Sequence, residues 1–303
     1  MWWPITGKVR PDGTLIDPSS ATALDTAPFT FKAVPADIEV LNRRASTTGD
    51  LDITALSFRA YCDVKDRYAI THCGSSFGEG FGPKVVAPAG ADFAAGCEPF
   101  LRRPDVRIAI PGRRTTAFML LGMLIGKDGL ADQSRFVEMP FDQIIGAVSR
   151  GETQAGLVIH EGQLLFGQAG LGLVVDLGDW WHKQTGLPTP LGCNVLRRDL
   201  DARYGEGTIK RVSRLLHDSI EYALAHRQES LAYTMPFALA NASKKGAAQS
   251  GTPTLERVDR YVAMYVNKRT VDMGDDGRAA VVQLLRAGND AGLCSGPGVV
   301  DVV

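Results

Sequence analysis

The feature that most constrains the fold is an uninterrupted apolar run at residues 155–159, with the sequence AGLVI. No polar residue alternates within it, which is typical of a strand buried on both faces of a parallel sheet. The run ends at His160, Glu161 and Gly162, so an imidazole and a carboxylate follow the carboxyl end of this strand. Ligands of open α/β sheets bind in the crevice at that end. The run therefore predicts an α/β protein with a candidate site at His160.

Apolar segments of strand length alternate with segments of helical periodicity along most of the chain, and the last third is mainly helical. Predicted strands occupy residues 29–34, 51–56, 68–74, 84–87, 106–110, 136–139, 173–177 and 193–196, in addition to 155–159. A helix is predicted over residues 37–45, with Asp37 as its N-cap. This alternation indicates mixed, mainly parallel sheets with flanking helices. With 303 residues, the chain reaches the size at which a single core tends to split, so two lobes are expected.

Charge and composition exclude several classes of protein. The formal net charge is −1 and Lys and Arg are scattered, so the basic stripe that nucleic-acid binding needs is missing. No run approaches the ~18 apolar residues of a membrane span, and the first residues, MWWPITGKVRPDG, lack the pattern of a secretory signal. The five cysteines are widely spaced without a CxxC pair, which indicates reduced thiols rather than a zinc site or disulfide framework. We therefore expect a cytoplasmic protein without nucleic-acid or membrane partners.

A second candidate site follows the predicted strand at residues 106–110. A Pro-Gly turn there leads into a helix whose first residues include Thr115 and Thr116. Free amides and hydroxyls at such a helix start can bind an anion. Plain N-capping by Thr115 is the alternative. His160 likewise has two interpretations, a base at the strand end or a hydrogen-bonded histidine with a structural role.

Other suggestive patterns fail on their spacing. Residues 78–83 (GEGFGP) lack the GxGxxG spacing and lead into a strand, so they predict a hairpin or a close backbone passage rather than a nucleotide loop. Residues 272–277 resemble a calcium loop, but the glutamate of its twelfth position is missing. The histidines other than His160 share no metal-ligand spacing. The sequence therefore requires no metal and no organic cofactor.

Motifs along residues 28–293 resemble, in order and spacing, those of the 1,4-dihydroxy-6-naphthoate synthase family. They include DIEVLNRRA, DITALSFRAY, GEGFGPKVVA, IAIPGRRTTAF, GETQAGLVIHEG, VVDLGDWWHKQTGLPTPLG and YVNKRTVDMGDDGRAAV. The resemblance implies the two-lobed fold of type II periplasmic binding proteins, here without a secretion signal. It also implies a step of the futalosine route to menaquinone. In that step, cyclic dehypoxanthinyl futalosine is opened to release 1,4-dihydroxy-6-naphthoate and a small sugar fragment.

The resemblance further implies roles for particular residues. His160 would be the proton acceptor of a carbon–carbon lyase that uses no cofactor and binds a small-molecule substrate. The substrate-contacting residues would come from both lobes, with Ala55, Leu56 and Ser57 in one and Thr115, Thr116 and Ala117 in the other. Glu161 either orients His160 or faces outward, and a homodimer is left open.

The two-lobed fold implies that the first lobe is discontinuous in sequence. Lobe I would consist of residues 1–104 and 196–303, and lobe II of residues 105–195. The chain would then cross between the lobes near Pro104 and near Val195. The first crossing follows residues 87–105, whose Pro-, Gly- and Ala-rich composition suggests a boundary. Ser57 and the threonine pair would face each other across a cleft with His160 at its floor, because all of them end strands or begin helices.

The chain departs from the family pattern at its N-terminus. The family begins with a strand and a Ser-Pro-x-Pro-x-Asp-type turn, whereas residues 1–5 (MWWPI) match the inside of the helix that follows this turn. We therefore expect the natural reading frame to encode this strand and turn upstream. There are two alternatives to the naphthoate synthase function. One is the sister enzyme chorismate dehydratase, which has the same fold but does not share the HEG motif, and the other is a non-catalytic solute-binding protein.

Overall fold

A computed structural model of the protein describes residues 1–17, 22–242, 253–296 and 300–303. The strands are β1 (Ile53–Ser57), β2 (Tyr68–Ile70), β3 (Ser76–Gly78), β4 (Lys84–Pro88), β5 (Ile108–Ile110), β6 (Phe136–Glu138), β7 (Ala155–Val158), β8 (Leu171–Asp176) and β9 (Thr189–Arg197). They form two sheets. The strand predicted at residues 29–34 is wrong, because these residues form neither a strand nor a helix.

Helices surround the sheets and make up most of the last third of the chain, as predicted. They are α1 (Trp3–Thr6), α2 (Ile38–Thr47), α3 (Phe58–Tyr61), α4 (Cys97–Arg102), α5 (Thr116–Leu130), α6 (Ile144–Ser149), α7 (Gly162–Leu165), α8 (Leu177–Thr185), α9 (Leu200–Tyr204), α10 (Thr208–Ala225), α11 (Arg227–Ala242), α12 (Leu255–Tyr265), α13 (Lys268–Val271) and α14 (Gly274–Asp290). Short 3₁₀ helices occupy Gln133–Arg135, Phe141–Gln143 and Phe166–Ala169. Across the described residues, no helix has both the length and the apolarity that crossing a membrane demands.

The first sheet is built around β9. The strands β1, β2 and β3 each pair antiparallel with β9, in the order β1–β9–β2 with β3 also on β9. Ile53 lies opposite Leu196 and Ser57 lies opposite Gly192. The carboxyl end of β1 is therefore beside the first half of β9. With nine residues, β9 is long enough to pair with β1, β2 and β3.

The second sheet has the strand order β6–β5–β7–β4–β8. The strands β6, β5 and β7 are parallel, whereas β4 runs antiparallel to both β7 and β8. All residues of β7 are buried, as its apolar run predicted, although only one of its neighbours is parallel. The sheets are mixed as predicted. Antiparallel pairs nevertheless outnumber parallel ones among the described strands, because β4 and β9 run against all their neighbours.

Strand membership corrects the predicted crossings between the two halves of the molecule. β4 belongs to the second sheet although it precedes Pro104, and β9 belongs to the first sheet although it begins before Val195. The chain passes between the sheets through residues 79–83 and returns through residues 186–188. The predicted boundary followed the Pro-, Gly- and Ala-rich composition of residues 87–105. That segment instead connects two strands of the second sheet.

The first of these passages confirms the predicted close backbone approach. A Cβ at Gly178 would lie 2.0 Å from the carbonyl carbon of Phe81, and a Cβ at Gly82 would lie 2.9 Å from the Cα of Gly178. The loop at residues 79–83 therefore runs against the first turn of α8 at a distance that only glycine permits.

One hydrophobic core is shared by the two sheets. It joins Leu56 of β1 and Phe77 of β3 with Val85 of β4 and with buried side chains of α5 and α14. A separate cluster packs α10 against Leu196 of β9 and Ile5 of α1. Because the main cluster contains strands from both sheets, the sheets are packed together rather than forming independent units.

Residues 301–303 extend the first sheet beside β2. The amide of Ile70 donates to the carbonyl oxygen of Asp301 at 3.0 Å, and the amide of Val303 donates to that of Ile70 at 2.8 Å. Asp301 also forms an ion pair with Arg198. These contacts satisfy the backbone on the outer side of β2. The strand and turn expected upstream of Met1 stay a prediction.

Candidate active site

The carboxyl ends of β6, β5 and β7 meet at one edge of the second sheet. These strands are parallel neighbours, so the segments that follow them lie side by side. Phe141 follows β6, Thr115 follows β5 and His160 follows β7. β8 ends at the same edge, because β4 runs antiparallel to both β7 and β8. The structure thus brings His160 and Thr115 to one edge, as the strand pattern predicted.

His160 has a left-handed backbone conformation, with a φ of 54°, which is uncommon for a residue other than glycine. This conformation ends β7 and turns the chain towards α7. The half-buried imidazole makes an edge contact with the ring of Phe141, at a centroid distance of 4.6 Å. Its Nδ1 atom lies 3.0 Å from the hydroxyl of Tyr261. The ring is therefore held by an aromatic contact and by a hydrogen bond.

Tyr261 belongs to α12, which lies against the loop that follows β7. Four residues later in this helix, the hydroxyl of Tyr265 donates to Oε1 of Gln163 at 2.9 Å, and its ring lies 5.7 Å from that of Phe81. Burial raises the pKa of both tyrosines, and the nearby Tyr265 and Glu161 add to the rise in the pKa of Tyr261. Both hydroxyls therefore stay protonated at neutral pH.

The end of β1 is held by Asn42, a fully buried side chain of α2. Its Oδ1 accepts from the amide of Ser57 at 2.9 Å, and its Nδ2 donates to Oγ of Ser57 at 3.1 Å and to Oε2 of Glu39 at 3.2 Å. Nδ2 also lies 3.5 Å from the carbonyl oxygen of Arg114. α2 begins at the predicted N-cap, Asp37. Asn42 therefore connects the end of β1 with the segment that follows β5.

Glu39 places a buried carboxylate beside the turn that follows β5. Its side chain is 9% exposed and accepts hydrogen bonds from Asn42 and from Nε of Arg43. Burial raises the pKa of Glu39. A Cβ at Gly112 would lie 2.4 Å from the carboxyl carbon of Glu39, and the φ of Gly112 is 149°. Glycine at this position thus permits both the backbone conformation and the approach of the carboxylate.

Thr115 and Thr116 use their hydroxyls within the protein. Thr115 is the N-cap of α5, because its Oγ1 accepts from the amide of Phe118 at 3.2 Å. Oγ1 of Thr116 donates to the carbonyl oxygen of Leu191 at 2.8 Å and accepts from the amide of Arg59 at 3.3 Å. The capping that the sequence allowed as an alternative is therefore present. Thr116, at the start of α5, is bonded to β9 of the first sheet.

The other predicted contact residues differ in what they can offer a ligand. The side chains of Leu56 and Ala117 are buried in the core, so only their backbone atoms are available at the edge. Ser57 is 4% exposed, whereas Ala55 is half-buried. The first turn of α5 leaves the amides of Thr116 and Ala117 without intrahelical acceptors. These amides are the groups of α5 best suited to bind an anionic or polar ligand.

The predicted arrangement of Ser57 and the threonine pair across a cleft with His160 at its floor stays a prediction, and the structure adds how these segments are connected. Ser57 and Thr116 follow strands of different sheets, but Asn42 and the amide of Arg59 join the two segments through hydrogen bonds. Nδ1 of His160 likewise has a hydrogen bond with the hydroxyl of Tyr261, which comes from α12.

Sequence reasoning misses the residues that make these connections, namely Asn42, Phe141, Gln163, Tyr261 and Tyr265. The spacing of Tyr261 and Tyr265 places both on one face of a helix, which is the signal that could have marked them. Their partners lie 101 and 102 residues away in sequence. The hydrogen-bond partner of Nδ1 of His160 is the hydroxyl of Tyr261, and not Glu161, which the sequence offered as an orienting group.

An ion pair between Lys84 and Asp176 lies at the same edge of the sheet. The two side chains are 14% and 13% exposed. Asp176 also caps α8, because its Oδ1 accepts from the amides of Gly82 at 2.8 Å and Gly178 at 2.9 Å. The positive charge of Lys84 is therefore already balanced within the fold.

A group of potential metal ligands lies elsewhere, on α10. Ligand atoms of His217, Asp218 and Glu221 lie within 4.8 Å of one another. Asp218 already forms an ion pair with Arg214 one turn earlier. This group contains none of the residues at the sheet edge with His160.

The family model and the named relatives of this chain agree with each other. Residues 17–290 match the model of a family described as menaquinone biosynthesis. A Thermus thermophilus protein named 1,4-dihydroxy-6-naphthoate synthase is 37% identical over 269 residues, which are 89% of this chain and 87% of the relative. A Streptomyces coelicolor protein of the same name is 33% identical over 259 residues, which are 85% of this chain and 82% of the relative.

Solved structures agree with the fold. Protein AF1704 from Archaeoglobus fulgidus is 37% identical, with a TM-score of 0.68 over 86% of each chain. A ligand-binding component of an ABC-type import system from Staphylococcus aureus, solved with zinc bound, has a TM-score of 0.55 at 14% identity and covers 92% of this chain and 87% of its own. A Candida albicans protein with the generic periplasmic binding protein fold has a TM-score of 0.53 at 10% identity, over 86% of this chain and 82% of its own.

The similarities at low identity and those at high identity support different conclusions. Those at low identity concern the fold alone, and they confirm the predicted α/β fold of the periplasmic-binding-protein type. The family model covers most of the chain, and both named relatives exceed 30% identity over more than four-fifths of it. The chain therefore belongs to the menaquinone biosynthesis family, and it is similar over most of its length to members named 1,4-dihydroxy-6-naphthoate synthase.

Proposed function

We propose that the protein has 1,4-dihydroxy-6-naphthoate synthase activity. It would act as a carbon–carbon lyase in the cytoplasm that opens cyclic dehypoxanthinyl futalosine, a step of the futalosine route to menaquinone. The observation that carries the proposal is the imidazole of His160, which follows the buried strand β7 at the edge where α5 begins. Membership of the family and the names of the two relatives support the class of product.

His160 is the proposed general base. An imidazole has an intrinsic pKa of about 6.5, so a neutral ring can take a proton from the substrate near pH 7. Aromatisation of the product supplies the driving force for ring opening. A positioned acid–base group contributes about 10²–10⁴-fold to the rate. No step of this reaction needs a redox change, which fits an enzyme that works without an organic cofactor.

The proposed substrate contacts are mainly backbone groups. The amides of Thr116 and Ala117, in the first turn of α5, would donate to polar oxygens of the substrate. On the first sheet, Ala55, Leu56 and Ser57 end β1 beside them. Since the threonine hydroxyls and Asn42 are engaged within the protein, their part would be to hold these amides in position.

The test is an incubation of the protein with cyclic dehypoxanthinyl futalosine, followed by detection of 1,4-dihydroxy-6-naphthoate by chromatography and mass spectrometry. His160→Ala should lower turnover by about 10²–10⁴-fold while the folded state is retained. The matched control is His182→Ala, which removes an exposed histidine of α8 and should leave turnover unchanged. Product formation by His160→Ala at the rate of the unchanged protein would eliminate the proposed mechanism.

A second candidate function is the binding of a small solute without catalysis. The fold likeness to a ligand-binding component of an import system favours it. It predicts that the cyclic substrate, or its product, raises the melting temperature while no naphthoate is formed, and that His160→Ala changes neither result. Turnover in the incubation above decides between the two.

A further inference from the structure

The contact between α12 and the loop after β7 joins two segments that are far apart in sequence. Tyr261 is separated from His160 by 101 residues, yet its hydroxyl is the hydrogen-bond partner of Nδ1, at 3.0 Å. The two rings are 6.4 Å apart at their centroids, in an edge-to-face arrangement. Phe141 meets the same imidazole with a ring at 4.6 Å. The imidazole is thus fixed by groups from two distant segments.

We propose that Tyr261 is a positioning residue that selects the tautomer of His160, in which Nδ1–H donates to the tyrosine oxygen and Nε2 is left as the proton acceptor. This inference rests on the proposed function, because it assigns the atom of His160 that would take the proton. The two ring nitrogens of a neutral imidazole are distinct, and the partner of one nitrogen determines the role of the other. A ring whose Nδ1 is occupied can act as a base only through Nε2.

The chemistry of the tyrosine fits this role. Burial raises the pKa of Tyr261, so the group stays neutral and can accept a hydrogen bond without becoming a charged partner. When Nε2 takes up a proton, Nδ1–H continues to donate to the same oxygen. The hydrogen bond is therefore kept through the reaction, and the ring does not need to turn.

The backbone of His160 supports the same conclusion. A left-handed conformation is unfavourable for a residue other than glycine and persists where the surroundings determine it. With a φ of 54°, the side chain of His160 leaves β7 in a direction different from that of a regular strand. Tyr261 and Phe141 are the groups that hold the ring in this direction.

A second tyrosine anchors the helix that carries Tyr261. The hydroxyl of Tyr265 donates to Gln163, three residues after His160, and this contact is buried. Because Tyr261 and Tyr265 are four residues apart, they lie on one face of α12. Both hydroxyls thus bind the segment that follows β7, Tyr265 at Gln163 of α7 and Tyr261 at the imidazole of His160. Tyr265→Phe is therefore a matched control for Tyr261→Phe.

The experiment is nuclear magnetic resonance of the full chain with ¹⁵N-labelled histidine, at about pH 8.5, where an unperturbed imidazole is neutral. His160→Gln assigns the signals of His160. We expect the unchanged protein and Tyr265→Phe to have the proton of His160 on Nδ1, and Tyr261→Phe to have a mixture of both tautomers. In the turnover assay, Tyr261→Phe should lower kcat by about tenfold, with KM within twofold, since one neutral hydrogen bond is lost.

The outcomes separate the two proposals. If the proton of His160 lies on Nε2 in the unchanged protein, or if Tyr261→Phe leaves the tautomer and kcat unchanged, the positioning role is wrong. If the tautomer changes as expected but the unchanged protein forms no naphthoate from the cyclic substrate, the positioning role stands and the proposed function fails.

Discussion

Asn42 offers the sharpest test of how the two sheet edges are held together. The substitution Asn42→Ala removes three hydrogen bonds of 2.9–3.2 Å from a side chain that is fully buried. Each neutral hydrogen bond contributes about 1 kcal/mol net, and the buried amide of Ser57 that loses its acceptor costs a further ~1–3 kcal/mol. We therefore expect the free energy of unfolding to fall by about 4–6 kcal/mol. Globular proteins have about 5–15 kcal/mol in total, so the loss is large.

The measurement is urea denaturation followed by circular dichroism, which reports the midpoint and its slope. The control is Asn289→Ala, which truncates the same residue type at an exposed position of α14 and should change the free energy of unfolding by less than about 0.5 kcal/mol. A loss below about 1 kcal/mol for Asn42→Ala would refute the reasoning, because the side chain would then not carry these hydrogen bonds in solution.

The companion variant Asn42→Asp tests the direction in which the stability changes with pH. It places a second carboxylate at hydrogen-bonding distance from Glu39, whose pKa burial already raises. Two adjacent carboxylates cannot both ionise easily, so the folded pKa of the pair lies above its unfolded value. The stability contributed by the protonated form is present below the unfolded pKa and lost as the pH rises through the folded pKa. Asn42→Asp should therefore approach the stability of the unchanged protein as the pH is lowered from 8 to 5, whereas Asn42→Ala should not.

Two further predictions concern the close backbone passage and the thiols. Gly178→Ala should lower the free energy of unfolding by at least about 2 kcal/mol, because its Cβ would lie 2.0 Å from the backbone of Phe81, whereas Gly167→Ala, with open space around its Cβ, should have little effect in the same denaturation assay. In the folded protein at pH 8, iodoacetamide should alkylate Cys294 before Cys73, as read by peptide mass spectrometry. The hydrogen bond from the Cys62 thiol lowers the pKa of Cys294, while burial raises that of Cys73 to about 12. Equal rates at the two thiols would contradict this.

Local pattern predicted the parts of the site that depend on one segment of chain. The apolar run of β7 identified a buried strand with His160 at its end, and the threonines after the Pro-Gly turn identified the start of α5. Both signals arise from burial and capping, which act within a few residues. The position of Asp37 as the N-cap of α2 was predictable for the same reason.

Contacts between distant segments were not predictable in this way. The composition of residues 87–105 suggested a boundary, but membership of a sheet depends on which strands pair, and β4 finds its partners about 70 and 90 residues further along the chain. From the local sequence, Tyr261 is predicted only to be one aromatic residue of an amphipathic helix. Its contact with His160 exists only because α12 folds back over the loop after β7. The sequence pattern specifies the elements, whereas packing specifies which side chains meet.

The central position of β9 has a consequence for the order in which the protein can form during its synthesis. All strands of the second sheet come from residues 84–176, so this sheet can assemble before residue 189 has left the ribosome. β1, β2 and β3 precede this sheet in the sequence, yet their partner strand β9 follows it, and Ile53 pairs with Leu196, 143 residues further along the chain. Closing so long a loop is slow. Apolar residues of the early strands, such as Leu56 and Ile70, are therefore the ones that a nascent chain leaves uncovered longest, and a chaperone that binds apolar segments would find its targets there.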